Sequence, residues 1–259
     1  MCAEERTLEI GSEEIRREQR RRFAELFVLS DQCTTLSLQL SKAIRKPMNK
    51  RQTVMTLYMF RCISHYCAST SLAEGGMSIE SFSISRGLFE TTFVMLAIAE
   101  DAVSPRELAQ HDVGSRVKQA NALLNSKDYP NVAPFEEQLN AFVEQSQGSA
   151  TIDMREFARR GNSLAVYDGL YRYLSHHASH PSLSAIDDYL SEDGNGNLHL
   201  HFRPLFNKTP AALLSACAGI LLACFACEKV GIKVSGTDRS LESTWSEYEK
   251  LYEQHKPWA

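Results

Sequence analysis

Apolar residues recur at helical spacing along nearly the whole chain, and the breaks between stripes carry helix start and stop signals. Over 12–45 the stripe runs through Phe23, Leu26, Phe27, Ser30, Cys33, Thr34 and Leu38. Ser12 and Glu14 supply an N-cap and a first-turn acid, and Pro47 closes the segment. Over 49–73 the stripe is Val54, Leu57, Tyr58, Arg61, Cys62, His65 and Leu72, and Gly75-Gly76 stops it. A third helix, 78–100, is strongly apolar through Phe82, Leu88, Phe89, Phe93, Leu96 and Ile98. Pro105 opens a fourth that reaches Asn125, and Pro130 and Pro134 bracket a more polar one ending near Gly148. Further helices are predicted over 153–159, 163–179, 209–230 and 238–254. The exception is 189–204, where GNGN lies between Tyr189-Leu190 and LHLHF and predicts a β-hairpin. The expected fold is all-α. It is a multi-helix bundle of seven to nine helices in one domain over 1–259, with one small β-hairpin near 189–204. Its N-terminal helix is basic and its C-terminal helix amphipathic.

With 259 residues and 43% hydrophobic residues the chain can bury a sizeable core. A formal charge of −4 argues against a general nucleic-acid coat. Arg16, Arg17, Arg20, Arg21 and Arg22 nevertheless crowd one segment, and Lys42, Arg45, Lys46, Lys50 and Arg51 the next; long polar helices usually carry such runs as solvated faces. Seven cysteines, an odd number, sit mainly within apolar patterns and are read as reduced thiols in a cytoplasm. Cys224 and Cys227 form a C-x-x-C inside AALLSACAGILLACFAC with no second pair at metal-binding distance, so they are expected to be buried and structural. That run is borderline for a membrane span and is predicted to be a buried central helix instead. Phosphate-binding, dinucleotide, metalloprotease and nucleophile-elbow motifs are absent, as is the Glu-x-x-His of di-iron bundles, and no cofactor is expected.

The densest chemistry lies in YRYLSHHASHPS, Tyr171 to Ser182. Helical spacing puts Arg172, His176, Ser179 and His180 on adjoining parts of one face, while Leu170, Tyr173, Leu174 and His177 point elsewhere. Arg86 and Glu90 stand four residues apart on an otherwise apolar helix. They form either an ion pair on its solvated edge or part of a buried network. SRGLFETTFVMLAIAED, followed about seventy residues later by LYRYLSHHASHPS, resembles the bacterial family known as domain of unknown function 5677. The resemblance implies that Arg86, Glu90, Tyr171, Ser175 and His180 belong to one shared polar cluster, to which the family name attaches no activity.

The segment is also similar to HEPN ribonucleases, helical proteins whose active site uses an Arg followed four to six residues later by His and meets a second copy across a dimer. Here Arg172 and His177 have that spacing. Tyr173 departs from the pattern, standing where Asn, Asp or His is common, and Arg106 to His111 repeats the spacing elsewhere. The resemblance implies metal-independent cleavage of RNA in stress or phage defence, with Arg172 on the phosphate and His177, His180 or His176 as acid and base. A homodimer and an antitoxin or defence partner protein would accompany it. A metal reading rests on His199 and His201, which alternate on a strand, with a third ligand from His176, His177 or His180; two His on a hairpin are more often solvent-facing, and no metal site is assigned. The alternative from another class is a non-catalytic helical module that binds a partner or small ligand and uses the polar cluster for shape.

Overall fold

The computed structural model describes residues 11–42, 48–126, 132–179, 183–200, 204–233 and 237–258. The helices are α1 (Glu13–Arg22), α2 (Ala24–Lys42), α3 (Lys50–Glu74), α4 (Ser78–Ala99), α5 (Pro105–Leu124), α6 (Glu136–Gln145) and α7 (Met154–Arg160), then α8 over 164–179, α9 (Thr209–Lys229) and α10 (Thr237–His255). The fold is all-α with a two-stranded antiparallel sheet of β1 (Leu190–Glu192) and β2 (Leu198–Leu200), in which Ser191 lies opposite His199.

The caps explain the boundaries. Asn49 accepts from the Gln52 amide while the Gln52 side chain reaches back to the Asn49 N–H, a reciprocal capping box at the start of α3. Ser104 and Asp153 accept from Glu107 and Glu156 and start α5 and α7. Between α3 and α4 the chain reverses at Gly76, whose φ is +82° and whose missing side chain leaves room for Pro204; a Cβ there would lie 2.7 Å from the proline. The stripe over 12–45 is two helices instead of one. Phe23 leaves the helical region at φ −121°, ψ 41°, and the count among the described residues rises to ten. The apolar spacing continues across the break, so periodicity alone does not register it.

Helix α9 is the hub of the bundle, packed against α2, α3, α4 and α10. Its residues from Ala211 to Ile220 are buried, and at Gly219 a Cβ would stand 2.7 Å from the Leu88 side chain of α4, so only glycine admits that contact. Phe206–Lys229 is long and apolar enough to cross a membrane, but 83% of its most apolar 18-residue window is buried inside the fold, as expected of a core helix. Cys224 and Cys227 are buried within it, and burial pushes both thiols up from their ordinary range, which keeps them protonated and inert.

The basic run of α1 is neutralised locally. Arg16 and Arg20 reach Glu74, and Arg21 and Arg22 fork onto Glu18. Arg51 donates to the Ile98 and Ala99 carbonyls at the end of α4. Arg45 and Lys46 lie outside the described residues.

Candidate functional site

Helix α8 is irregular and two-faced. It winds as a π-helix over Tyr167–Tyr171 and again over Ser175–Ser179. Such wide turns shift the register of the side chains that follow, and they concentrate at working sites. Here Tyr171 ends the first wide turn and Ser175 begins the second, and both bond to Arg86 of α4.

On that side four of the five residues of the predicted polar cluster, all but His180, come together. The Arg86 guanidinium donates from Nε to Ser175 Oγ at 3.0 Å and from Nη2 to the Tyr171 hydroxyl at 3.1 Å. The same Nη2 lies 2.8 Å from Glu90 Oε1, to which the Tyr171 hydroxyl donates at 2.9 Å. Burial, followed by the bond to Glu90, raises the Tyr171 phenol above its ordinary range, so the phenol stays protonated and the donor direction is fixed. Arg86 also lies over the Tyr171 ring at 5.4 Å. The side chains of Arg86 and Glu90 are 32% and 33% exposed. The network therefore sits at the rim of the core, between the two situations that the sequence leaves open.

A histidine that the sequence places only on the α3 stripe adjoins this cluster. The His65 ring packs over Gly87, 3.2 Å from where a Cβ would stand, and its Nδ1 is buried with no hydrogen-bond partner among the described residues. Burial, then the Arg61 charge, lowers its pKa and favours the neutral ring. The sequence signal is a glycine inside an apolar helix, at the point where another side chain crosses it.

The other predicted residues are not gathered into this cluster. Arg172 is 70% exposed and faces Asp168 at 3.9 Å. His176 is exposed, and His177 lies against the Tyr173 ring at 4.2 Å. His180 and His201 lie outside the described residues. His199 is on β2, 3.4 Å from Asp193. Among the described residues no group of three or more His, Cys, Asp or Glu is placed to hold a metal ion. His111, of the repeated Arg-to-His spacing, accepts from the Ile152 amide at 2.9 Å and ties α5 to the start of α7.

The opposite side of α8 opens onto a cleft of about 890 Å³ shared with α9 and α10. Val166, Leu170 and Tyr173 form one wall, Ala218 and Leu222 the floor. The far wall is an aromatic run: Trp245 and Tyr248 lie 5.2 Å apart, Tyr248 and Tyr252 6.2 Å, Tyr252 and Trp258 5.3 Å, and Trp258 meets Tyr173 at 6.3 Å. Sequence reasoning registers this stretch only as an amphipathic helix. The available signal is WSEYEKLYEQHKPW, whose aromatic residues at i, i+3 and i+7 form a stripe too bulky for the one core face it meets.

The model of the Family of unknown function (DUF5677) matches residues 52–198, a stretch that contains Arg86, Glu90, Tyr171 and Ser175. Comparison with curated proteins gives no match, and comparison with solved structures gives none either. Because the match covers more than half of the chain and includes all four residues of the α4–α8 cluster, the chain belongs to the Family of unknown function DUF5677.

Proposed function

We propose that this chain is a non-catalytic helical binding module that takes a small organic ligand in the cleft between α8, α9 and α10. The observation that carries the reading is the cleft itself, about 890 Å³ and lined mainly by aromatic and aliphatic side chains, the size and character of a small-molecule site. The polar cluster then serves as a tie. Its four side chains bond to one another, and it fastens to α4 the helix that forms one wall of the cleft. A thermal-shift screen against a chemically diverse library tests this, because a ligand that binds only the folded state raises the melting temperature. Gly169 lines the cleft with nothing within 4 Å of where its Cβ would stand, so Gly169→Phe fills the space without a clash. Hits that stabilise the wild type and not Gly169→Phe are expected; hits indifferent to the substitution contradict the reading.

A second reading, metal-independent RNA cleavage, is favoured by the exposure of Arg172 and His176 on the outer surface of α8. It places Arg172 on the scissile phosphate and His177 or His180 in proton transfer, with a second copy of the chain or an antitoxin-like protein covering the surface. Incubation of the purified protein with single-stranded RNA in a chelator tests it. The reading requires products ending in a 2′,3′-cyclic phosphate and a loss of about a hundredfold in His177→Ala. Intact RNA from folded protein removes it.

A further inference from the structure

The charge around the cleft is one-sided. Its described lining includes two carboxylates, Glu249 and Glu253, and no Lys or Arg. Glu249 accepts from the Trp245 indole N–H at 2.9 Å, which fixes the carboxylate against the ring. The faces of Trp and Tyr rings are themselves negative, so the rings and carboxylates favour the same sign of guest. Burial raises the Tyr248 phenol well above its ordinary range, and it adds no competing charge.

We propose that the cleft binds an organic ammonium ion with an apolar body, its charge lying over the aromatic wall near Glu249 and Glu253. An anion would meet two carboxylates with no compensating cation. A neutral hydrocarbon would gain from the rings but leave the carboxylates unused. The proposal rests on the reading of the cleft as the ligand site and adds the ligand's charge to it.

The chain has two tryptophans, Trp245 and Trp258, and both line the cleft, so intrinsic tryptophan fluorescence reports on this site alone. The probes are benzoylcholine and its uncharged carbon isostere, 3,3-dimethylbutyl benzoate. They share shape and ester oxygen and differ in the charge. Benzoylcholine is expected to change the emission saturably and to bind about tenfold or more tighter than the isostere. The double substitution Glu249→Gln, Glu253→Gln should reduce that preference to near unity and leave isostere binding unchanged. Both carboxylates are exposed, so the variant is expected to fold, and the isostere titration checks that its cleft is intact. Equal binding of the two probes by the wild type overturns the charge assignment and leaves the cleft reading standing. No response to either overturns both.

Discussion

The two sides of α8 differ in how completely their side chains are used. Toward α4, Tyr171 and Ser175 engage Arg86, which with Glu90 closes a ring of hydrogen bonds at 2.8 to 3.1 Å. Toward α10, Tyr173 looks across a cleft of about 890 Å³ at a row of aromatic rings and two exposed carboxylates. Polar residues and a recognisable motif pair mark the first side, yet Arg86, Glu90, Tyr171 and Ser175 bond to one another. The second side has a plain sequence and keeps its binding capacity unspent. Dense polar chemistry in a sequence therefore identifies residues that hold a fold as readily as residues that act on something else; the difference lies in what remains unsatisfied once the chain has folded.

The comparison breaks most easily at Arg86. Arg86→Ala removes the hub of the network and leaves Glu90 facing Tyr171 alone, so a loss of about 2–3 kcal/mol is expected, read by denaturant unfolding. A loss near zero would mean that the ring of bonds does not fasten α8. Glu90→Ala should cost about 1–2 kcal/mol. A fully buried pair would lose more and an exposed one less, and this pair is about one-third exposed. Tyr171→Phe keeps the ring and deletes the bridging hydroxyl, for about 1 kcal/mol. Across the helix, Glu249→Gln with Glu253→Gln should change stability by less than about 0.5 kcal/mol, because both are exposed. Equal destabilisation from the two sides would erase the distinction between tie and cleft.

The smallest effect is one of pH. Burial depresses the His65 pKa, so the folded state resists taking up a proton that the unfolded chain accepts below about pH 6.5. The stability His65 contributes is present above that pH and is lost as pH falls through the depressed folded value. Melting curves from pH 8 to 5.5 should show a decline toward acid that is shallower in His65→Gln. An identical slope in the variant would assign the decline to other groups.

Much of the architecture is legible in the sequence because it depends on local signals. Ser12, Pro105 and the Gly75-Gly76 pair mark helix ends that the structure reproduces. The pairs Arg86/Glu90 and Tyr171/Ser175 are each visible as i, i+4 spacings. Their meeting is a tertiary event, implied by the family resemblance and not by either spacing. The π-helical turns of α8 and the break at Phe23 leave no trace in the periodicity, because both preserve the order of apolar positions while altering the angle at which they are presented. Arg172 and Tyr171 are neighbours in the motif-rich stretch, yet one faces solvent and the other α4; sequence proximity on a helix separates side chains by about 100°. The cleft is hidden for a related reason. Trp245, Tyr248 and Tyr252 read as a core-facing stripe, and whether the core fills the space before them depends on the side chains α8 and α9 bring.

The most direct test of the division between tie and cleft is a single binding experiment on three proteins, run below the melting temperature of the weakest. Any stabilising ligand from the screen, or benzoylcholine, is titrated into the wild type, Arg86→Lys and Gly169→Phe. The account predicts that Arg86→Lys, though less stable, keeps an affinity within about threefold of the wild type, while Gly169→Phe loses binding by tenfold or more. Binding that survives Gly169→Phe and disappears in Arg86→Lys would place the working site on the α4 side of α8 and contradict the account.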